Sequence, residues 1–316
     1  MDRIENAINN LLIKPNEALK SRIEEVRYCI DIPDTNSKGY CYCLKVDANG
    51  TLRLKDLIDY LDTRIVDYAI PKKEIDEAKN DFNNTGSTRK IIQLKKKAEN
   101  LFTDLNKTGE GGEILLYILT QDILKLPQLI SKMSLKTSPK MHYHGADGIH
   151  FQYDSINGNL ELYWAEAKMY QDLNAAMVSC FDSLKGFLLD PKGCKSTQER
   201  DIDLITSNIH QNINNEAIED ILVEYFDKDK EQSNHLVYKG VCFIGFDYDK
   251  YPSNTDITKT TADIKNAILV EYDKWHNSVG DKIKEHMNLD KKEIHVFLMP
   301  FPSVDEFRQY YLQIIK

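Results

Sequence analysis

The sequence lacks the features that most directly mark a membrane, secreted or nucleotide-driven protein. No apolar run approaches the ~18 residues of a membrane span, and the first ten residues, MDRIENAINN, contain no apolar segment of a secretion signal. No glycine-rich loop of the Walker or dinucleotide-binding type is present, so nothing supports a nucleotide-fuelled enzyme. Internal repeats and low-complexity tracts are also missing. We therefore expect a cytoplasmic protein without membrane contact.

Cysteine is sparse and unpatterned. The six cysteines are scattered along the chain. Cys41 and Cys43 would share one face of a strand, but no second pair completes a zinc site. We therefore predict reduced thiols, as is usual in a cytoplasmic protein, and no cysteine-bound metal.

The chain contains fewer basic than acidic residues. Lys and Arg number 41 against 50 Asp and Glu, which gives a net charge of -9. A protein that holds nucleic acid by itself usually has a basic balance, so any DNA contact here requires a local patch or a partner. One basic run lies in a helix predicted from Thr88 to Leu105. It is typical of a solvated helix face, and contact with phosphate or a partner is the alternative.

The chain has 316 residues and 41% hydrophobic content, enough for a sizeable core. From Glu113 onward the patterns run helix, strand, hairpin, helix, a helical insertion at 195–227, then strand, helix, strand and helix. This order predicts an α/β fold with a mixed central sheet flanked by helices, and the apolar run Leu236–Tyr248 as a central strand. Residues 1–107 are predicted to be an N-terminal α+β extension, and residues 108–316 the core domain.

The segment Gly145–Tyr170 is the most informative part of the chain. It consists of two strand-like runs around Asn157-Gly158, a pair typical of two-residue hairpin turns. With that pair at the centre of the turn, Asp147 is predicted to lie opposite Lys168. Opposite side chains share a face, and so do residues i and i+2. Asp147, Glu166 and Lys168 are therefore predicted to project from one face, at the open end of the hairpin.

Two carboxylates and an ammonium group in this arrangement fit a divalent-metal nuclease site. Mg²⁺ takes hard oxygen ligands, usually with one or two carboxylates, and Asp147, Glu166 and the Ala167 carbonyl would supply them. Mn²⁺ is a candidate substitute. A metal-bound water could attack phosphorus, with Lys168 as its general base or as an electrostatic helper, and the sequence leaves both open. The alternative is a solvated Glu–Lys pair on a surface strand. The apolar residues around the pair make this alternative less favourable, because a surface strand would have polar neighbours.

Glu113 begins an apolar helix predicted at 113–124. A helix that is apolar on all sides must be buried, and we expect it to pack on the apolar face of the hairpin, which carries Ile149 and Trp164. Glu113 then has two interpretations that the residues alone leave open. It is either a carboxylate favoured by the helix dipole or a third acid at the hairpin site.

Other metal-binding patterns are weaker. His142-x-His144 has no third partner at a recognisable spacing, so we interpret both residues as polar loop residues. Asp247-x-Asp249 follows the predicted central strand, and we interpret it as a strand-end turn.

Three blocks resemble the PD-(D/E)XK nuclease superfamily and, within it, the HamA family of the Hachiman antiphage defence system. They are GEGGEILLYIL at 109–119, GADGIH at 145–150 and WAEAKMY at 164–170. The resemblance covers roughly residues 108–300. It implies a catalytic set of Glu113, Asp147, Glu166 and Lys168, with Glu113 joining the metal ligands, and a polar helper at Gln171. Gly-Ala precedes Asp147, where the superfamily motif has a proline that is often absent.

The resemblance also implies a function and a partner. It implies a Mg²⁺-dependent DNA endonuclease subunit of an antiviral complex, controlled by the helicase HamB in a heterodimer. The acidic balance of the chain fits such an arrangement. The insertion 195–227 and the N-terminal region are the candidate docking surfaces. The alternatives are a non-catalytic nuclease-fold adaptor that binds and regulates a helicase, and a stand-alone nuclease.

Overall fold

The structure is a computed structural model that describes residues 3–14, 17–102, 109–131, 133, 145–189, 197–213, 216–252 and 258–315. Seven strands form one mixed sheet in the order β1-β2-β7-β6-β5-β4-β3. The strands are β1 (Ile23–Asp31), β2 (Lys38–Leu44), β3 (Gln128–Ser131), β4 (Gly148–Asp154), β5 (Asn159–Tyr170), β6 (Leu236–Asp247) and β7 (Ile294–Phe301). The predicted α/β class with a mixed central sheet is confirmed.

Helices of the described residues flank this sheet. They are α1 (Arg3–Asn9), α2 (Leu54–Thr63), α3 (Ile65–Ala69), α4 (Lys72–Thr85), α5 (Arg89–Glu99), α6 (Glu110–Asp122), α7 (Leu173–Leu188), α8 (Thr197–Asn212), α9 (Glu216–Phe226), α10 (Thr261–Lys284) and α11 (Val304–Ile315). Strand β6 is central, as predicted, and pairs in parallel with both β5 and β7. Its residues from Gly240 to Phe246 are all buried, because helices cover both faces of the sheet.

The N-terminal region contributes to the same sheet. β1 and β2 pair antiparallel, and β2 continues the sheet by pairing in parallel with β7. The N-terminal part is therefore an α+β extension of the central layer. The predicted boundary between residues 107 and 108 lies outside the described residues, and the division into two domains stays a prediction. The insertion predicted at 195–227 contains α8 and α9.

β4 and β5 form the predicted hairpin, but their register differs from the prediction by two residues. Gly148 pairs with Ala165. Continuing the ladder by one residue places Asp147 opposite Glu166, so the predicted pairing of Asp147 with Lys168 is wrong. A shift of two residues preserves the alternation of faces, so the three side chains still share one face.

The turn explains the shift. Four residues, 155–158, connect the strands instead of two. The Asp154 carboxylate accepts hydrogen bonds from the N–H groups of Ile156 and Asn157, and the Asp154 carbonyl accepts one from Gly158. Of these residues only Gly158 has positive φ, 69°, whereas a type I′ turn requires it at both central residues. The side-chain bonds of Asp154 therefore set the loop length.

The helix that covers the site face of the hairpin is α7. Trp164, on that face, stacks against Phe187 of α7 with ring centroids 6.4 Å apart. Helix α6 lies on the opposite face, where a Cβ added at Gly112 would come within 3.0 Å of the Met169 sulfur. The prediction that the 113–124 helix packs over the apolar hairpin face is therefore wrong. Its sequence is apolar on all sides, so the sequence could not indicate which face it would choose.

Other helices show details set by packing and backbone geometry. Helix α10 runs unbroken through residues 278–280, where Gly280 allows a close approach to the Pro33 carbonyl, 3.1 Å from the position of an added Cβ. Helices α2 and α3 are separated at Arg64.

Three smaller predictions concern membrane spans, cysteines and metal-like pairs. Within the described residues, no helix combines the length and apolar character needed to cross a membrane. The five cysteines in the described part of the chain are free thiols. His142 and His144 lie outside the described residues. Asp247 ends β6 and accepts a hydrogen bond from the Val304 N–H, in agreement with a strand-end role.

His150 makes the fold sensitive to acid. Its buried ring lies on β4 with Nδ1 3.0 Å from the Leu126 carbonyl oxygen, and burial lowers the pKa of the imidazole to about 4. An unfolded histidine has a pKa near 6.5. Between these values the unfolded chain binds the proton more readily, so stability present above pH ~6.5 is lost as the pH falls toward ~4. This group should remove about 2 kcal/mol from the free energy of unfolding between pH 7 and pH 5.

Urea denaturation of the wild type and His150→Gln at pH 7 and pH 5 measures this effect. The variant should be less stable at pH 7 and should lose about 2 kcal/mol less than the wild type on going to pH 5. His210→Gln, on the exposed end of α8, serves as the matched control and should keep the wild-type pH dependence. An unchanged pH dependence in His150→Gln would contradict the assignment.

Candidate active site

The hairpin brings Asp147 and Glu166 together at its open end. The Asp147 N–H donates to the Ala165 carbonyl at 3.0 Å, and Asp147 Oδ2 accepts from the Ala167 N–H at 2.9 Å. These bonds fix Asp147 across from the end of β5, beside Glu166. Both carboxylates are buried, with Asp147 7% and Glu166 5% exposed. Two buried acids at one place destabilise a fold unless cations or donors compensate them.

Lys168 supplies positive charge at this place. Two residues after Glu166 on the same face, its ammonium group forms an ion pair with Glu166 Oε1. Burial lowers the pKa of Lys168, but the charges of Glu166 and Asp147 and the hydrogen bond to Glu166 outweigh burial, so the pKa is raised above its ordinary value. In this arrangement Lys168 is a cation at neutral pH.

Glu113 reaches the same place from the opposite face of the sheet, in the first turn of α6. The Tyr68 hydroxyl donates to Glu113 Oε2 at 3.1 Å and lies 3.4 Å from the Asp147 carbonyl oxygen. Burial, and then the charges of Glu113 and Asp147, raise the pKa of Tyr68, so its hydroxyl remains a donor. Tyr68 thus links Glu113 to Asp147, and the role of Glu113 as a third acid stays a prediction.

The predicted residues line one cleft of about 580 Å³. Glu113, Asp147, Glu166, Ala167 and Lys168 all contribute to its wall. Other parts of the wall come from α7, α8 and α11, with the residues Asp182, Ser183, Gly186, Phe187, Thr197, Arg200 and Arg308. The fold therefore brings together every residue of the predicted set.

Gln171 does not line this cleft. Its side-chain amide donates to the Asp305 carboxylate at 2.9 Å. The bond joins the end of β5 to the first turn of α11. A direct helper role for Gln171 has no support from this arrangement, and the residue instead helps to position α11.

Sequence reasoning missed two basic residues from distant parts of the chain. Arg200 of α8 and Arg308 of α11 line the cleft. Arg308 is held by a hydrogen bond from its guanidinium to the Met169 carbonyl of β5. Neither residue belongs to a motif, so only the folded arrangement shows that both face the hairpin acids.

A third missed residue supports the strand that carries Asp147. Asp201 of α8 is 3% exposed and accepts a hydrogen bond from the Ala146 N–H at 3.3 Å. Burial raises the pKa of Asp201. The helical insertion is therefore attached directly beside the site, through the residue preceding Asp147.

The donor atoms at the cleft suit a hard divalent cation. The Glu113, Asp147 and Glu166 carboxylates and the Ala167 carbonyl are oxygen donors of the kind that Mg²⁺ and Mn²⁺ bind. Within the described residues, no three His, Cys, Asp or Glu side chains are already arranged around a common ion position. Magnesium sites typically use one or two carboxylates and keep water on the other positions, so the two hairpin acids meet that requirement.

Tyr68→Phe removes the hydroxyl that links Glu113 to Asp147 and keeps the ring. The half-buried Glu113 carboxylate and the buried Asp147 carbonyl lose a donor, so we expect the free energy of unfolding to fall by about 1–3 kcal/mol. For the nuclease site that the sequence predicts, misplacing Glu113 should also lower DNA cleavage, by about tenfold to a hundredfold. The measurements are denaturation and single-turnover cleavage.

Tyr117→Phe is the matched control. Tyr117 lies beside Tyr68, with ring centroids 5.5 Å apart, and its hydroxyl bonds to the Asp67 carbonyl outside the site. It should lose comparable stability and keep full cleavage. Equal cleavage by both variants would show that Tyr68 has no positioning role.

The mixed seven-stranded sheet, flanked by helices and with acids and a lysine at the end of one hairpin, defines a nuclease-like α/β protein. The HamA family model matches residues 19–315, and the chain belongs to the HamA family. It is therefore a Hachiman defence protein. The match includes β1 and β2 and so extends beyond the motif blocks. No curated protein is significantly similar to the chain.

Proposed function

We propose that the chain is the nuclease subunit of an antiviral complex. In this proposal it acts in the cytoplasm as a Mg²⁺-dependent DNA endonuclease, and a HamB-type helicase controls it. The convergence of Glu113, Asp147, Glu166 and Lys168 in one cleft carries the proposal. Charged groups that converge in a cleft and perturb the pKa of one another, as Glu166 and Asp147 do for Lys168, indicate a functional site.

The chain's own residues have distinct roles in this proposal. Asp147, Glu166 and the Ala167 carbonyl would hold a divalent ion, and Glu113 would join them, held by Tyr68. When bound, such an ion polarises phosphate oxygens and makes water a better nucleophile at neutral pH. The ammonium group of Lys168 would lie against the scissile phosphate and stabilise its developing negative charge.

The charge of the cleft supports the proposal of both an ion and a partner. The described lining contains four acids and three basic residues, so it has no excess of positive charge to attract a DNA backbone. Affinity for DNA comes mainly from neutralising phosphates, and this chain has a net charge of -9. We therefore propose that the helicase brings the DNA to the cleft.

Helices α4 and α5 offer a candidate docking surface for the helicase in a heterodimer. Phe82, Ile91 and Ile92 are 41%, 43% and 52% exposed there, an unusual concentration of large apolar side chains on one helix pair. The neighbouring basic residues Lys95 and Lys97 form ion pairs with Asp62 and Glu74, at 2.7 and 2.6 Å, which favours their structural interpretation. The insertion at 195–227 is the second candidate surface.

Co-purification tests the docking surfaces. Ile91→Glu with Ile92→Glu, and a deletion of the insertion, should each reduce recovery of the helicase, and their combination should abolish it. Circular dichroism controls for folding. Full recovery of the helicase with both changes present would eliminate both surfaces.

Cleavage of plasmid and linear DNA tests the activity. The chain is assayed alone and with the helicase, in Mg²⁺, Mn²⁺ or EDTA. We expect cleavage only when both a divalent ion and the helicase are present. Cleavage that persists in EDTA would contradict the metal requirement, and cleavage by the chain alone would contradict control by the helicase.

One observation favours a second candidate function, that of a non-catalytic adaptor. The Lys168 ammonium group pairs with the Glu166 carboxylate, so the two charges neutralise each other within the chain. An adaptor of nuclease fold would bind the helicase through other surfaces and would not use the charges of the cleft. It would support phage defence equally well with the cleft residues replaced, and the nuclease would not.

A further inference from the structure

A second cavity lies behind the proposed active site. Its volume is about 240 Å³, and it is enclosed by the loop after α1, helices α3, α4 and α6, and strand β3. An engineered cavity of about 150 Å³ already takes up benzene, so this one admits a flat heterocyclic ring system. Its walls include the rings of Tyr68 and Tyr117 and the side chains of Ile70, Ile75 and Ile130.

Two side-chain amides in this wall have unused hydrogen-bonding atoms. Gln121 is only 3% exposed, and its carbonyl oxygen is buried without a hydrogen-bond partner. The amide nitrogen of Gln128 is likewise buried without a partner. Leaving a buried polar atom unsatisfied costs about 1–3 kcal/mol. Both residues line the cavity, and rotation of either amide would bring its unsatisfied atom to the wall, where an acceptor and a donor match the complementary edge of a heterocycle.

The remaining wall is basic. Lys14 and Lys79 are exposed and Lys72 is half-buried, and all three line the cavity. The only acid in the described lining is Asp67. Lys72 and Lys79 share the nearby Asp76, at 3.4 and 3.8 Å. Three ammonium groups against the carboxylates of Asp67 and Asp76 leave an excess of positive charge, which favours an anionic group such as a phosphate.

We propose that this cavity binds a nucleoside monophosphate. The base would lie between the tyrosine and isoleucine side chains, where base–aromatic contact is favourable, and would bond to Gln121 and Gln128. The phosphate would lie at the lysines. A nucleoside monophosphate has no phosphoanhydride bond, so it would act here as a ligand and not as fuel.

The cavity shares a residue with the cleft. The Tyr68 ring lines the cavity, and its hydroxyl bonds to Glu113 in the cleft. A bound base would therefore contact the residue that holds Glu113. This coupling rests on the nuclease activity proposed above, whereas binding of the nucleotide does not.

Isothermal titration calorimetry of the full chain in EDTA tests the binding. The probes are the four common ribonucleoside 5′-monophosphates, their nucleosides and inorganic phosphate. At least one monophosphate should bind saturably, and its nucleoside and inorganic phosphate should each bind at least about tenfold more weakly. The absence of binding by all four, or equal binding of phosphate alone, would overturn the proposal.

Variants assign the binding to this cavity. Gln121→Leu and the double variant Lys72→Glu, Lys79→Glu should each weaken the monophosphate at least about tenfold, and Lys73→Gln, outside the lining, should not. The double variant changes lysine side chains at the outer part of the cavity and leaves the core unchanged. It therefore still tests the assignment if Gln121→Leu fails to fold. Wild-type affinity in the double variant would overturn the assignment.

Cleavage measures the coupling separately. Saturating monophosphate should change the rate of DNA cleavage by the wild type with helicase at least twofold, and should not change that of Gln121→Leu. Calorimetry requires no cleavage, so failure of the nucleotide site and failure of the nuclease activity are distinguishable. An unchanged wild-type rate with the nucleotide bound would contradict the coupling.

Discussion

Glu166→Gln should lower metal-dependent DNA cleavage by at least about 1,000-fold. The substitution keeps the size of the side chain and removes the charge that would hold the ion and pair with Lys168. Metal stabilisation of the transition state amounts to several kcal/mol, and each 1.4 kcal/mol is a factor of ten in rate. The affinity for Mn²⁺, measured by calorimetry, should fall with the rate.

The same strand provides a matched control. Glu161 is buried near the other end of β5 and pairs with Lys239 at 2.8 Å, as Glu166 pairs with Lys168 at the cleft. Glu161→Gln breaks a comparable buried ion pair and should cost a few kcal/mol of stability. Because it lies outside the cleft, cleavage should remain near the wild-type rate. Equal loss of cleavage in both variants would show that the loss results from impaired folding and not from the absence of the Glu166 carboxylate at the cleft.

Lys168→Gln should lower cleavage by about 100- to 1,000-fold, the loss typical when one charge-stabilising donor is removed from a reactive site. It should also change the response of stability to metal. In the wild type, the Lys168 ammonium compensates the buried charges of Glu166 and Asp147. Without it, the variant should melt several degrees lower in EDTA and regain most of that loss in Mg²⁺, because the ion replaces the missing cation.

Lys239→Gln controls for the loss of a buried lysine. Lys239 pairs with Glu161 and Glu293, both at 2.8 Å, away from the cleft. This variant should also melt lower, but Mg²⁺ should not restore it, and its cleavage should be normal. A similar Mg²⁺ response in the two lysine variants would mean that no ion binds beside Lys168.

Local pattern predicted which face the hairpin residues occupy but not their register. Alternation along β5 places Glu166 and Lys168 on one side whatever the turn, and a shift of two residues leaves this unchanged. The loop length depended on the Asp154 carboxylate, which competes with the Asn-Gly pair for the backbone N–H groups. The outcome of this competition depends on the hydrogen bonds that form in the folded chain. Turn preferences of individual residues predict that outcome only on average.

Other parts of the candidate site could not be predicted, because they depend on tertiary packing. Helix α6 is apolar on all sides, so the sequence predicted its burial but not the face on which it lies. Tyr68, Arg200 and Arg308 come from three separate helices and belong to no motif. Their position at the cleft follows from how these helices pack around the sheet, which residue spacing does not encode.

Phage protection by the chain together with its proposed helicase partner tests the central claim most directly. Cells carry the helicase with either the wild-type chain or the double variant Glu166→Ala, Lys168→Ala, and immunoblots and co-purification confirm that both are present and bound. A nuclease acting through this cleft predicts that the double variant loses protection and that its purified complex leaves DNA intact in Mg²⁺. Wild-type protection and wild-type cleavage by the double variant would contradict the assignment of this cleft.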